Sequence, residues 1–326
     1  MRRRDFLGIM VGSTAAWPLA ADAQQPSIPV VGFVNSSTAN AQVLFAAAYR
    51  QGLEENGFIE GKNVLIESRW ADGQYNRLPE LIGDLIKRNV AVLMAGGPPA
   101  AIAEKKTTST IPVVFTTGDD PVQVGLVSSI NRPSGNVTGV HVLFTELESK
   151  KLGLLREMVP NAGLIAALVN PTFPNAKSQM QELRTTADKL GQRLQIINAS
   201  SERDLDAAFA SMKQLQASAL LVGADPFFNS YRDKIVSLAA KYAIPAVYEQ
   251  RAFAAAGGLM SYGTNLAQAY RQAGVYTGRI LKGEKPTDMP VVLSNKFEFV
   301  INLKVAKTLG LNVSANVLST ADEVIE

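Results

Sequence analysis

The chain has no cysteine and a single histidine, His141. Absence of cysteine excludes a disulfide, a thiolate metal site, a lipid-bearing thiol and a cysteine nucleophile. One histidine leaves any zinc site to carboxylates, an unfavourable donor set. The dinucleotide fingerprint G-x-G-x-x-G, the P-loop G-x-x-x-x-G-K-[ST] and the nucleophile elbow G-x-S-x-G are all missing. His141 is therefore expected to pack in a strand near a hinge, and neither a metal nor a cofactor is expected. Charge is close to balanced, with 32 Lys and Arg against 29 Asp and Glu and no basic stripe, so nucleic acid is not an expected partner. Beyond the N-terminal segment, no apolar run approaches the roughly 20 residues of a membrane span.

The first 23 residues read as a targeting segment. Arg2-Arg3-Arg4 is a positive region, Phe6 to Ala20 is apolar and small, and Ala21-Asp22-Ala23 is an A-x-A cleavage site before polar Gln24 and Gln25. Arg3-Arg4-Asp5-Phe6-Leu7 also fits the twin-arginine pattern, with a Sec signal as the alternative. A periplasmic protein, cleaved after Ala23, is expected.

The remaining 303 residues are organised around a repeated turn. Ile111 to Phe115 is an apolar run of parallel-strand type, followed by Thr116-Thr117-Gly118-Asp119-Asp120-Pro121. Pro121 suits the first position of a helix, which is expected to begin there. The same G-x-D-P grammar returns at Gly223-Ala224-Asp225-Pro226, after the apolar strand Ala219 to Val222. Ligands in open α/β sheets sit outside the carboxyl ends of strands. Two such mouths predict two sheets facing each other across a cleft.

Strand and helix patterns alternate through both halves, the signature of doubly wound parallel sheets. Strands are expected at Ile28 to Val34, Val64 to Ile66, Val90 to Ala95, Ile111 to Phe115 and Val137 to Val142, then at Leu164 to Val169, Leu194 to Ile197, Ala219 to Val222, Pro245 to Tyr248 and Leu259 to Tyr262. A long helix follows, with Leu266, Tyr270, Ala273, Thr277 and Ile280 on one face. Lys296 to Leu303 alternates like a half-buried strand, with Phe297, Phe299 and Ile301 on one side. The long helix is expected to cross back onto the first half. That places residues 27–142 and 264–284 in an N-terminal lobe, and 143–263 and 285–326 in a C-terminal lobe, joined by three crossings.

Four stretches carry a family resemblance: EGKNVLIESRWADGQYNRLPEL (60–81), TIPVVFTTGDDPVQVGLVSSINRPSGNVTG (110–139), AGGLMSYG (256–263) and KFEFVINLKVAKTLGL (296–311). With them the chain resembles the substrate-binding proteins of ABC-type importers, relatives of tryptophan- and tyrosine-binding members. The resemblance covers the whole mature chain. It implies the type I periplasmic binding protein fold, two Rossmann-like lobes joined by a multi-strand hinge and closing on a ligand. It also implies a small-molecule ligand, an ABC permease partner in the inner membrane, a monomer and no enzymatic activity. One departure is Pro98, where relatives often carry a threonine hydroxyl.

Candidate ligand residues follow from strand ends. Asn35, Ser36 and Ser37 either bind a ligand carboxylate or cap the next helix. Gly96-Gly97-Pro98-Pro99 is either an anion site at a helix start or a tight turn, and the prolines remove donors. Thr116, Thr117 and Asp119 are expected at the ligand, and Asp120 at a helix start. In the second half Asn170, Asp225, Phe227, Tyr248 and Tyr262 lie at or just past strand ends. A carboxylate there suits a ligand ammonium and an aromatic ring suits an apolar body, with ordinary core packing the alternative for both tyrosines. The expected ligand is an amino acid or another small carboxylate. A periplasmic enzyme using paired carboxylates and an effector-type ligand-binding domain are the competing readings.

Overall fold

A computed structural model describes residues 28–143 and 147–326. The expected signal at 1–23 lies outside the described residues. In the first half the chain forms β1 (Val30–Asn35), α1 (Val43–Glu54), β2 (Leu65–Trp70), α2 (Leu78–Lys87), β3 (Val92–Gly96), α3 (Pro98–Thr107), β4 (Val113–Thr117) and β5 (Val137–Val142). It continues with α4 (Glu148–Met158), β6 (Ile165–Val169), α5 (Ala176–Lys189), β7 (Leu194–Asn198), α6 (Glu202–Gln214), β8 (Ala219–Val222), α7 (Pro226–Ser230), α8 (Arg232–Lys241), β9 (Ala246–Tyr248), α9 (Arg251–Ala255) and β10 (Met260–Thr264). The tail is α10 (Leu266–Leu281), β11 (Val292–Ser294), β12 (Phe297–Asn302), α11 (Leu303–Thr308), α12 (Ala315–Ser319) and β13 (Glu323–Ile325).

Two sheets result. The first runs β11-β5-β4-β3-β1-β2 and is parallel throughout. The second runs β13-β12-β10-β9-β8-β6-β7 and is parallel except where β10 meets β12. Strands β3, β4, β5, β6 and β8 are buried along their whole length, because helices cover both sheet faces. Edge strand β7 is only half-covered.

Helix α10 packs on α1 beside the first sheet, as its apolar face predicts. Glycine is required at this crossing: a Cβ on Gly52 would lie 1.9 Å from the Arg271 carbonyl oxygen, and one on Gly274 2.1 Å from that of Tyr49. The Tyr49 hydroxyl donates to Thr277 Oγ1 at 3.0 Å, which ties the two helices polarly.

The chain crosses between sheets after β5, after β10 and after β11. Thr264 Oγ1 donates to the Leu143 carbonyl oxygen at 3.0 Å, and the Asn265 N–H to that of Lys296 at 2.8 Å. The three crossings are thus bonded to one another and form the hinge.

Three expectations are corrected. Residues 285–294 stay with the first sheet and do not, as expected, open the return to the second lobe: β11 pairs with β5, so the third crossing follows Ser294. No helix follows Pro121. Leu126 N–H bonds the Pro121 carbonyl at 2.8 Å and Gly125 turns to φ +73°, closing the chain after one turn. Strand β12 does not alternate between buried and open faces: Phe299, Val300 and Ile301 are all buried, because α9 packs on this strand as well.

Candidate functional site

The carboxyl ends of β1, β3 and β4 bring Asn35, Gly96, Gly97, Thr116, Thr117 and Gly118 to one place. Together with Gln42, Val142, Leu266 and Tyr270 they line a narrow space. Asn229 of α7 and Gln250, which follows β9, close it from the second lobe.

The floor is a hydrogen-bonded network. Asn35 Nδ2 donates to Tyr270 Oη at 2.9 Å and to Gln42 Oε1 at 3.3 Å, while its Oδ1 accepts the Ser37 N–H at 2.8 Å. Tyr270 Oη also bonds Thr116, and burial pushes its pKa up to about 12. It therefore stays a neutral phenol, able to donate and accept. Both N–H groups of the Asn35 amide are committed, and through them it holds Tyr270 and Gln42 in place.

Gly96-Gly97-Pro98-Pro99 is not an anion site. The Gly97 N–H donates to the Thr116 carbonyl oxygen at 3.1 Å, Pro98 and Pro99 have no N–H, and the Ala100 N–H goes to Ser36 Oγ at 3.1 Å. No donor at the start of α3 is left for a carboxylate, so Ser36 is a helix-capping residue and Pro98 only starts the helix. Gly97 has another role. Its φ of +93° and ψ of 157° suit glycine alone, and an added Cβ would meet Pro226 of the second lobe at 3.4 Å.

The two lobes touch directly. Tyr75 Oη donates to Asp225 Oδ1 at 2.6 Å, Ser37 Oγ and Ser230 Oγ are 3.0 Å apart, and Asn175 Nδ2 donates to Asp119 Oδ1 at 2.9 Å. Phe227 is buried, its ring lies tilted 4.9 Å from that of Tyr231, and a Cβ on Gly73 would be 3.1 Å from it. Ser37, Asp119, Asp225 and Phe227 thus hold lobe against lobe.

Asp225 also caps α7, with Oδ1 accepting the Phe227 N–H at 2.6 Å. Asn170 Nδ2 approaches the same oxygen at 3.4 Å, and its own Oδ1 accepts from Thr172 N and Oγ1. Burial pushes the Asp225 carboxyl up to about 7, against the pull of these hydrogen bonds. Glu249, immediately past β9, is pushed up to about 8 by burial, opposed by Lys151. Glu148 and Lys151 form a buried ion pair at 3.0 Å.

Tyr248 and Tyr262 stand outside the cleft. Tyr248 is fully buried and stacks on Phe253 in the core beneath α8 and α9. Tyr262 packs on Phe297 and Phe299 on the opposite face of the second sheet. Both side chains follow strand alternation into a core and not the strand end into the cleft. The sequence reading missed Gln42, Tyr75, Asn229, Glu249, Gln250 and Tyr270. Glu249 and Gln250 were accessible to the same strand-end rule, since they directly follow an apolar strand.

Among the described residues no cluster of His, Asp or Glu is arranged to hold a metal. No helix among them is long and apolar enough to cross a membrane. Residues 27–325 match the ABC transporter substrate binding protein family. The chain belongs to that family. Its sequence is 25% identical over 261 residues to a tyrosine-binding protein of Clostridioides difficile (strain R20291), covering 80% of this chain and 75% of that one. Two solved structures are similar. A conserved domain protein from Vibrio cholerae superposes with a TM-score of 0.84 at 26% identity, over 91% of this chain and 99% of that one. An ABC domain from Streptococcus pneumonia, in complex with L-Trp, superposes at 0.83 with 25% identity, over 92% of this chain and all of the other. The chain's fold is that of the type I periplasmic binding proteins, and substrate-binding proteins bind small molecules.

Proposed function

We propose that the protein is the exported solute-binding component of an ABC importer, and that it carries an amino acid in the cleft to an inner-membrane permease. One observation carries the reading. Polar strand-end side chains of the first lobe and Asn229 and Gln250 of the second enclose one space, while direct bonds join the lobes around it. The relatives named for tyrosine and solved with L-Trp support an aromatic side chain.

The ligand carboxylate meets the Thr116 and Thr117 hydroxyls and the amides of Gln42, Asn229 and Gln250, since α3 has no donor to offer. Ligand touches both lobes only when they are closed, so it shifts the population toward that state. The mature protein acts as a monomer in the periplasm after cleavage before Gln24. Calorimetric titration against the common amino acids tests the assignment, with mass spectrometry of whatever co-purifies. An aromatic amino acid should bind at micromolar Kd or tighter. Binding by none of them removes the amino-acid reading. N-terminal sequencing of exported material should read Gln24-Gln25-Pro26-Ser27, and an intact Met1 in a cytoplasmic pool removes the export reading.

A further inference from the structure

The amino ends of β9 and β10 border a second cavity, at the end of the second lobe opposite the cleft. Ile244 precedes β9, Gly257-Gly258 precedes β10, and α8 and α11 complete the wall. Val236, Ala239, Val305 and Leu309 make it apolar, and among the described residues no charged side chain lines it. Polar groups of the wall bond within the protein. The Ile244 N–H donates to the Ala239 carbonyl oxygen at 3.0 Å, the Gly257 N–H to that of Ala254 at 3.1 Å and the Gly258 N–H to that of Phe253 at 2.8 Å. The Thr308 hydroxyl donates to the Lys304 carbonyl oxygen at 2.8 Å.

Tyr248 is the exception. Its side chain is fully buried, and its hydroxyl has no hydrogen-bond partner among the described residues. Strand register shows where that hydroxyl points. Tyr248 pairs with Ser261. Its ring carbon Cε2, next to the hydroxyl-bearing carbon, nevertheless lies against Gly258, nearer the amino end of β10, where an added Cβ would be 2.6 Å away. The ring therefore runs back along the sheet toward the cavity, which Tyr248 and Gly258 both line. Stacking on Phe253, with 4.7 Å between centroids, holds it there. Ala239, Ala240 and Ala243 line the same cavity and keep α8 from filling it. A buried hydroxyl left without a partner is costly.

We propose that this cavity is a second ligand site, separate from the cleft, for a small neutral apolar molecule whose single hydrogen-bond acceptor bonds the Tyr248 hydroxyl. The uncharged wall excludes an ion, which would lose its water and meet no counter-charge. An amino-acid zwitterion is excluded for the same reason, so this site takes a different class of molecule from the one proposed for the cleft. An aryl ketone meets both demands. Its body removes apolar wall from water, and its carbonyl oxygen accepts from the phenol. The site stands whether or not the cleft holds an amino acid.

Methyl NMR on the full mature chain tests this, with acetophenone as the probe and ethylbenzene as its match without the acceptor. Acetophenone should saturably shift the methyls of Val236, Ala239 and Leu309, and leave in place those of Val142 and Leu266, which line the cleft. These wild-type shifts decide the site without any variant. Ala240→Leu adds volume at the exposed rim and should weaken both probes by about tenfold. Tyr248→Phe keeps the ring, removes the unpaired hydroxyl, and should melt at or above the wild-type temperature. It should weaken acetophenone by about three- to tenfold, the worth of one hydrogen bond, and leave ethylbenzene unchanged. No saturable shift at millimolar acetophenone overturns the site, water alone then serving the hydroxyl. Shifts confined to Val142 and Leu266 overturn it too, by placing the probe in the cleft. In Tyr248→Phe, an acetophenone affinity that is unchanged, or that falls only as far as that of ethylbenzene, overturns the role of the hydroxyl and the ligand class with it.

Discussion

Tyr75 of the first lobe and Phe227 N–H of the second donate to the same oxygen, Asp225 Oδ1, each at 2.6 Å. One carboxylate oxygen therefore starts a helix and ties the lobes. Closure and the local order of α7 are coupled through it. That helix also presents Pro226 to Gly97 and Asn229 to the cavity, so the latch sits on the element that completes the site.

Removing the Tyr75 hydroxyl should weaken closure without unfolding either lobe. Tyr75→Phe is expected to cost about 1–2 kcal/mol of the closed state, or roughly five- to thirtyfold in ligand affinity. Titration calorimetry reads the affinity, and solution scattering reads a larger radius of gyration at subsaturating ligand. Unchanged affinity would show that the contact follows closure without supporting it.

Asp225→Ala should fail in two measurements at once. Losing the cap of α7 costs about 0.5–2 kcal/mol in chemical denaturation. Losing the link to Tyr75 is expected to reduce affinity by about tenfold. Full affinity alongside reduced stability would assign Asp225 to the fold alone.

Glu104 should make the first lobe sensitive to alkali. It is fully buried in α3, neither oxygen has a hydrogen-bond partner among the described residues, and burial holds its pKa well above the usual carboxylate range. A raised folded-state pKa gives a contribution that is fully present below the unfolded value, about 4.3, and is lost as pH rises toward the folded value. Glu104→Leu should therefore stabilise the protein more at pH 8 than at pH 5, by about 1–3 kcal/mol at the higher pH. Denaturation curves at the two pH values that shift equally would rule this out.

Gly274→Ala should separate α1 from α10. The added Cβ would fall 2.1 Å from the Tyr49 carbonyl oxygen, which belongs to helix backbone and has little room to move. A loss of about 1–3 kcal/mol is expected in urea denaturation. Gly83→Ala, with nothing within 4 Å of the added atom, is the control and should be neutral or slightly stabilising.

The sequence by itself determined the two parallel sheets, the strand ends that face the cleft, and the long helix returning to the first lobe. Each is written in local terms: continuous apolar runs for strands buried on both sides, helical spacing at Leu266, Tyr270, Ala273, Thr277 and Ile280, and polar residues just past each run. Only the tertiary structure decided what those polar residues do. Asn35, Ser36 and Gly97 all end strands or start helices, yet their bonds go to Tyr270, Ala100 and Thr116, groups distant in sequence. Tyr248 is one residue before Glu249, but strand alternation turns the tyrosine into a core and leaves the acid among Lys151, Glu148 and Asp225. Tyr75 meets Asp225 only because two lobes built from separate stretches close on each other. Local pattern reports how deeply a residue is buried and which backbone it prefers. Partners across a lobe boundary depend on register, crossing points and closure, which no short stretch of chain encodes.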